Sequence, residues 1–271
     1  MKTFLSSILE TTREELDRTR SREKGRVFAQ RESPTRDFRA AIAERGCTSV
    51  IAEIKFASPS AGVIRTPEDP VPLAECLESA GVTALSVVTE SRVFRGDPGS
   101  LKKVARAVSI PVLCKDFFVD ESQVEEAHGR GADAVLLISR ILAPGRLSAL
   151  LARCRSMGLE ALVEVGTRTE LDRALAAGAE VVGINNRDLD SFEVDLGRFG
   201  ALAPAVPAGV ALVSESGVKG PGDVRMLRDQ GADAVLVGTA LMASPDPASA
   251  ARGLVQAGKA PVRFKDMAGP E

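Results

Sequence analysis

Charged side chains recur near the ends of short apolar stretches of this sequence. The stretch SVIAEIK contains Glu53 and ends at Lys55, PVLCKD ends with Lys115 and Asp116, and ALVEV contains Glu164. Carboxylates and ammonium groups can give and take protons when their surroundings tune them. Their repetition predicts a polar site that carries out acid–base chemistry.

Two stretches in the second half of the chain extend this pattern. VVGINN contains Asn185 and leads into Arg187, and VALVSES ends with Glu215 and Ser216. An unpaired charge inside a protein costs several kcal/mol, so it is improbable that five apolar stretches end this way by accident. Any one of these residues could instead form a structural ion pair or lie in solvent at a rim. Together they favour an active site.

Histidine and cysteine contribute little to the predicted chemistry. The single histidine, His128, lies in EEAHGRGAD, where a helix end is expected. The four cysteines are widely separated and include no CxxC pair, which argues against a zinc site and a disulfide scaffold. They are Cys47, Cys76, Cys114 and Cys154. We therefore expect reduced thiols in a cytoplasmic protein and acid–base chemistry that does not use histidine.

One unit repeats along the chain. A helical stretch ends in Gly-Ala or a similar pair and is followed by a short apolar run, as in GRGADAVLLIS. Glycine suits a left-handed helix cap, and an uninterrupted apolar run is typical of a parallel strand that is buried on both faces. Eight such strands are predicted, at residues 49–55, 84–90, 111–116, 134–139, 161–165, 181–186, 210–216 and 234–239.

These eight strand–helix units predict an α/β fold, a single (β/α)8 TIM barrel, whose usual length is about 250 residues. A doubly wound open sheet is the alternative, although no GxGxxG follows the first strand. We expect a helical N-terminal extension over residues 1–46, the barrel over 47–260 and a C-terminal tail over 261–271. The extension would cover an end of the barrel, and the sequence does not say which.

The composition excludes two classes of partner. The chain has 271 residues and a formal net charge of −2, which gives no electrostatic footprint for nucleic acid. No apolar run approaches the roughly 20 residues that are needed to span a bilayer. The predicted partner is therefore neither a nucleic acid nor a membrane.

Two glycine-containing loops predict a phosphate site. SESGVKGPGD follows the seventh predicted strand and VGTALMASPDP includes the end of the eighth. In a TIM barrel these two loops commonly hold a phosphate through backbone N–H groups. Gly217 and Gly238 permit close backbone approach, and Thr239 could add a hydroxyl. Either glycine alone could simply form a tight turn, but their joint position favours a phosphate site.

Seven segments, in order, resemble the indole-3-glycerol phosphate synthase family. They are IAEIKFASPSAGVI, SVVTE with FRGD, PVLCKDFFVD, LVEV, GINNRDLDSFEVDL, SESGV and LVGTALM, which extend from about residue 49 to 247. The resemblance implies a lyase of tryptophan biosynthesis. Such a decarboxylase closes the ring of 1-(2-carboxyphenylamino)-1-deoxyribulose 5-phosphate, releases CO₂ and water, and needs no cofactor or metal. It implies a small phosphorylated substrate and a cytoplasmic monomer or weak homo-oligomer.

The resemblance also assigns roles in the chemistry. Lys115 matches the family's general acid, and we expect neighbouring charge or partial desolvation to lower its pKa. Lys55 matches the lysine that engages the substrate carboxylate, Glu164 the base in dehydration, and Glu53 an acid that positions the lysines and contacts a substrate hydroxyl. The residues that match positions orienting the substrate are Asn185, Arg187, Glu215 and Ser216.

The remaining matched residues would bind the two ends of the substrate. The phosphate would lie against Ser58, Gly217, Gly238 and Thr239. The anthranilate ring would need an apolar wall, for which the matching residues are Phe94, Phe117, Leu136 and Leu189, although each could equally be core packing. The sequence departs from the family at Phe56 and Cys114, where basic residues are common, and at Thr239, where serine or glutamate is usual.

Two other functions remain open at this point. An aldolase-type barrel could form a Schiff base between a sugar phosphate and Lys55 or Lys115. A non-catalytic barrel could keep the phosphate site and bind a ligand, although binding alone would not require both Lys115 and Glu164.

Overall fold

The computed structural model describes residues 4–22, 31–43 and 46–259. Eight parallel strands close into a barrel, in which β1 pairs with both β2 and β8. The strands are β1 (Ser49–Ile54), β2 (Ala84–Val88), β3 (Val112–Lys115), β4 (Ala134–Ile138), β5 (Glu160–Val165), β6 (Val181–Asn185), β7 (Ala211–Glu215) and β8 (Ala234–Val237). The predicted (β/α)8 barrel is confirmed, and the open sheet is wrong.

Helices precede the barrel and alternate with its strands. They are α1 (Phe4–Arg22), α2 (Phe38–Ile42), α3 (Pro70–Ser79), α4 (Pro98–Ala107), α5 (Glu121–Gly129), α6 (Pro144–Ser156), α7 (Arg168–Ala176), α8 (Gly197–Leu202), α9 (Pro221–Asp229), α10 (Thr239–Met242) and α11 (Pro247–Gly258). Single 3-10 turns occur at Ser139–Ile141 and Ala203–Ala205, and a short hairpin pairs Ala57–Ser58 with Gly62–Val63. His128 lies in the last turn of α5, as predicted.

The outer helices start on a repeated local signal. Asp69, Asp97, Asp120 and Asp246 each accept a backbone N–H from the first turn of the helix that follows. Proline occupies the first turn of five helices, where its missing N–H would have no helical partner. These caps fix where each helix leaves its strand, and so they set the lengths of the loops around the barrel mouth.

The interior of the barrel changes from apolar to charged along the odd-numbered strands. The inward residues Ile51, Leu113, Leu162 and Val213 belong to one buried apolar cluster. Two residues further along the same strands are Glu53, Lys115, Glu164 and Glu215. Alternate strands of a TIM barrel contribute their inward side chains to one layer, and side chains two apart share a face. These last four residues, the charged layer, therefore form the floor of the barrel mouth.

The N-terminal extension contacts both ends of the barrel. Leu5 and Ile8 of α1 are buried, and the ring of Phe4 meets the ring of Phe192 edge-on, with centroids 5.0 Å apart, at the carboxyl ends of the strands. At the opposite end, Nε of Arg36 donates to Asp133 at 2.7 Å. Asp133 is fully buried just before β4. The predicted tail, residues 261–271, lies outside the described residues.

No helix in the described part of the chain is both long and apolar enough to cross a membrane.

Candidate active site

A cavity of about 840 Å³ opens at the carboxyl ends of the strands. Its lining includes every residue that the sequence analysis assigned to a site: Glu53, Lys55, Ser58, Phe94, Lys115, Phe117, Leu136, Glu164, Asn185, Arg187, Leu189, Glu215, Ser216, Gly217, Gly238 and Thr239. They come from the eight strands and the loops that follow them, so they meet only because the barrel closes.

The charged layer contains one lysine among three carboxylates. Nζ of Lys115 lies 3.4 Å from Oε2 of Glu215 and 3.7 Å from Oε2 of Glu164. Lys55, which follows β1, pairs with Oε1 of Glu53 at 2.6 Å. All three glutamates are at most 3% exposed. Buried charges of this kind are tolerated only when they are paired, so the two lysines make the three carboxylates possible.

The pKa of Lys115 differs from the expectation drawn from the sequence. Burial disfavours its charge, but the carboxylates of Glu215, Glu164 and Glu53 outweigh burial and raise the pKa of Lys115 above its ordinary value. The expected lowering of this pKa is therefore wrong. The sequence did not reveal that three carboxylates would surround one ammonium group. Lys115 is fully protonated at neutral pH, so the proton that an acid must donate is present.

The pKa values of two of these carboxylates, Glu53 and Glu215, shift in opposite directions. Burial opposes ionisation of Glu53, but Lys55 and Lys115 lower the pKa of Glu53 below its ordinary value. Burial raises the pKa of Glu215 to about 8, against the attraction of Lys115. Oε1 of Glu215 is buried and has no hydrogen-bond partner among the described residues. One shared ammonium cannot keep every carboxylate ionised, so Glu215 holds a proton over part of the neutral range.

This protonation predicts a pH dependence of folding. The folded protein binds more protons at Glu215 than the unfolded chain does between pH 4.5 and about 8, so stability should fall as pH rises through that window. The shifts of Glu53 and Lys115 act below pH 4.5 and above pH 10.5. Urea unfolding of wild type and Glu215→Gln from pH 5 to 8 should show a shallower decline in the variant. His128 is common to both proteins and cancels. Equal slopes would contradict the prediction.

Asn186 fastens the loop after β7 to the end of β6. Its side-chain amide donates to Ser214 Oγ at 2.9 Å and to the carbonyl oxygens of Glu215 at 3.0 Å and Ser216 at 3.1 Å. Ser216 has φ of 64° and Gly217 has φ of 91°, so the chain turns sharply there. The buried Asn186 thus helps to aim the backbone of this loop into the cavity.

Known proteins resemble this chain over most of its length. Residues 5–254 match the family model described as indole-3-glycerol phosphate synthase. The chain belongs to the indole-3-glycerol phosphate synthase family. The family member from Mycobacterium avium (strain 104) is 46% identical over 262 residues, which are 96% of each chain. That from Mycobacterium sp. (strain KMS) is 48% identical over 233 residues, 86% of this chain and 85% of the relative.

Solved structures with little sequence similarity share the fold. A 3-hexulose-6-phosphate synthase superposes with a TM-score of 0.64 at 18% identity, over 78% of this chain and 99% of that chain. A mandelate oxidase with (S)-2-phenylpropionate superposes with a TM-score of 0.61 at 19% identity, over 86% of this chain and 77% of that one. At such identity the likeness concerns the barrel alone.

Two of the departures from the indole-3-glycerol phosphate synthase family lie outside the cavity. The side chains of Phe56 and Cys114 are buried in the cluster that fills the space between the barrel wall and its helices. Burial also raises the pKa of the Cys114 thiol to about 12. A basic residue at either position would face this apolar layer. Thr239, the third departure, lines the cavity at the start of α10.

Several residues that line the cavity were not predicted from the sequence. Glu90 accepts backbone N–H groups from Arg92, Val93 and Phe94 at 2.8–2.9 Å, and so it fixes the loop that carries Phe94. The ring of Phe94 lies 6.3 Å from that of Phe117. The SVVTE segment matched to the indole-3-glycerol phosphate synthase family ends at Glu90, which was the available signal.

Aromatic and basic residues complete the rim. Phe4 and Phe192 both line the cavity, and Nη1 of Arg187 donates to the Phe192 carbonyl oxygen at 2.8 Å. Lys219, in the loop after β7, is exposed and lines the same cavity as Gly217. The predicted helical extension contains Phe4, but no local sequence pattern pairs this residue with a loop far along the chain.

Proposed function

We propose that this cavity carries out the reaction of the family, conversion of 1-(2-carboxyphenylamino)-1-deoxyribulose 5-phosphate to indole-3-glycerol phosphate in tryptophan biosynthesis. The observation that carries the proposal is the charged layer, in which one ammonium group lies 3.4 and 3.7 Å from two buried carboxylates. Ring closure needs an acid and dehydration needs a base. This arrangement places an acid, Lys115, 3.7 Å from a base, Glu164.

Ring closure depends on Lys115. The substrate's aromatic ring is a weak carbon nucleophile, so its attack on the ketone needs a proton for the oxygen as negative charge develops there. Lys115 donates that proton. Its raised pKa keeps the donor loaded at neutral pH, and Glu164 and Glu215 orient the ammonium group. The neutral amine that remains is stabilised less by these carboxylates, so it readily takes a proton back.

Lys55 and Glu53 act on the other side of the reacting carbons. Lys55 is paired with Glu53 at 2.6 Å and is partly exposed to the cavity. The ammonium group of Lys55 binds the substrate carboxylate until it leaves as CO₂, and Glu53 accepts a hydrogen bond from a substrate hydroxyl. The low pKa of Glu53 keeps it ionised for this role.

Glu164 acts in the last step. It takes a proton from the closed ring, and Lys115, which has regained its proton after ring closure, donates a proton to the hydroxyl group formed in that step, so that the hydroxyl departs as water. Its neighbour Lys115 lies 3.7 Å away, so an acid and a base face the same substrate atoms. Asn185, Arg187, Glu215 and Ser216 orient the substrate and hold the charged groups in place.

The phosphate and the ring occupy opposite sides of the cavity. The phosphate lies against backbone N–H groups at Gly217 and Gly238, with hydroxyl groups from Ser58 and Thr239. Phe94, Phe117, Leu136 and Leu189 form the apolar wall for the anthranilate ring. This division is supported by the loops after β7 and β8, which bring both glycines to the cavity.

Lys219 is predicted to help capture the anionic substrate. Lys55 and Lys115 are both engaged by carboxylates, whereas Lys219 is exposed beside the proposed phosphate site. An exposed ion pair contributes about 0.2–1 kcal/mol, so Lys219→Ala should raise KM about 1.4- to five-fold with kcat unchanged. Steady-state kinetics at low and high salt test this. Lys103→Ala, an exposed change on α4, is the control. Unchanged KM at low salt would refute the role.

The decisive experiment is a fluorescence assay for indole-3-glycerol phosphate with synthetic substrate and purified protein. Product at micromolar enzyme is expected. Without product, borohydride trapping with sugar phosphates would test the aldolase alternative, in which Lys55 or Lys115 forms a Schiff base. A stable adduct on either lysine would replace the present proposal.

The protein's partners and surroundings complete the proposal. We infer that its only partner is the small phosphorylated substrate, that it works in the cytoplasm, and that it is a monomer or weak homo-oligomer. Light scattering at increasing concentration would show a species of 28.5 kDa that self-associates weakly at most. In this proposal residues 1–46 form an extension of the barrel over 47–260.

A further inference from the structure

Two glycines lie against the carboxylates of the charged layer. A Cβ atom added to Gly183, on β6, would be 2.1 Å from Oε1 of Glu215. A Cβ atom added to Gly238, just after β8, would be 2.4 Å from Oε1 of Glu53. Such distances are far below any non-bonded contact. Each carboxylate therefore occupies the space that a side chain on the neighbouring strand would fill.

Backbone conformation does not explain these glycines. Gly238 has φ of −117°, which any residue can adopt, and Gly183 lies within a regular strand. Around Gly238 the three closest atoms all belong to Glu53, and around Gly183 the two closest belong to Glu215. The requirement for glycine is thus one of space beside a specific side chain.

The register places both glycines next to the reacting groups. On the side of β5, Gly183 pairs with Glu164. On the side of β7, Asn185, which lies two residues after Gly183 on β6, pairs with Glu215. Val237 pairs with Ala52 of β1. Gly238 follows Val237 and Glu53 follows Ala52, so Gly238 lies beside Glu53. In each carboxylate, Oε1 is the oxygen that lies against the glycine. For Glu215 this leaves Oε2 toward Lys115, at 3.4 Å.

We infer that Gly183 and Gly238 are positioning residues that set the orientation of Glu215 and Glu53. A side chain at 183 would push the Glu215 carboxylate away from Lys115, and one at 238 would push the Glu53 carboxylate away from its present place beside Lys55. The effect on catalysis rests on the proposed function, whereas the steric coupling does not. For Gly238 this role is additional to the backbone contact proposed for phosphate.

The steric coupling is tested by unfolding, without substrate. Gly183→Ala should lower Tm by about 5 °C, because overpacking a filled interior is destabilising. In a Glu215→Ala background the same change should cost much less, since of the three closest atoms only Cδ1 of Leu162 remains, at 3.1 Å, and it needs to move by only a few tenths of an ångström. Gly238→Ala should likewise be largely relieved by Glu53→Ala, which leaves of the three closest atoms only Cβ of residue 53, at 3.2 Å. The crossed combinations, Gly183→Ala with Glu53→Ala and Gly238→Ala with Glu215→Ala, are the matched controls and should be additive.

Additive effects within the proposed pairs would overturn the inference. If Gly183→Ala fails to fold alone, recovery of folded protein in the double variant supports it, and failure of both variants while Glu215→Ala folds opposes it. These outcomes do not depend on the reaction, so they remain interpretable if no indole-3-glycerol phosphate is formed.

The positioning role has a separate kinetic readout. Gly183→Ala should lower kcat about ten-fold or more with KM nearly unchanged, because misplacement of a reacting group impairs the chemical step. An unchanged kcat in folded Gly183→Ala would show that the glycine has no part in positioning.

Discussion

Replacement of Lys115 by methionine is expected to reduce kcat by about 10²-fold or more, the usual contribution of a positioned acid. The variant keeps most of the length of the side chain but lacks the proton that ring closure needs. Product formation measured by indole fluorescence at saturating substrate checks this result. Turnover at the wild-type rate would remove Lys115 from the mechanism.

Lys115→Arg separates the proton from the charge. Arginine keeps a cation beside Glu164 and Glu215, but it does not release a proton in proteins. Activity should therefore remain as low as in the methionine variant. Stability should distinguish the two. Without the cation, the buried carboxylates repel one another as they ionise, so Lys115→Met should lose more stability at pH 8 than at pH 5, while Lys115→Arg should lose little more at pH 8 than at pH 5.

Replacement of Glu164 by glutamine is expected to reduce formation of indole-3-glycerol phosphate by about 10²-fold or more. The proton transfer proposed for Glu164 belongs to dehydration, and Glu215 still orients Lys115 for ring closure in this variant, so the earlier loss of CO₂ should continue. In a single turnover, CO₂ release should therefore precede and exceed the rise of indole fluorescence, whereas in wild type the two should nearly coincide.

Glu160→Gln is the matched control for this variant. Glu160 starts β5 and Glu164 lies near its end, so the same chemical change is made on one strand at opposite ends of the barrel. Activity of the control should stay within about two-fold of wild type, since it lies far from the cavity. If CO₂ and indole decline together in Glu164→Gln, the carboxylate acts at ring closure and not in dehydration.

The fold could be predicted because buried parallel strands have a simple signature. Each of the eight apolar runs became a strand, with ends within two residues of the prediction. The errors fall at the strand ends, where Lys55 and Asp116 belong to loops and Thr239 begins α10. Charged residues at these points were attributed to a site because a barrel brings all carboxyl ends of its strands together.

Other features needed coordinates because they depend on contacts between distant segments. The pKa of Lys115 was expected to fall, and it rises because three strands each place a carboxylate near it. The role of Gly183 was invisible for the same reason, since nothing in GINN reports that Glu215 fills the adjacent space. The contacts of the N-terminal extension could not be predicted either, because they involve distant segments. The ring of Phe4 in α1 meets that of Phe192, and Arg36 donates to Asp133.

The seating of α1 on the barrel mouth has a consequence for protein synthesis. Phe4 leaves the ribosome before Phe192, on which it rests, because Phe192 emerges about 190 residues later, roughly 10 to 40 s at the usual rate of translation. During that interval part of the surface that covers the nascent helix in the folded protein is missing. The helix is therefore made long before its contact with the loop after β6 can form, and that side of the pocket is closed only after residue 192 has emerged.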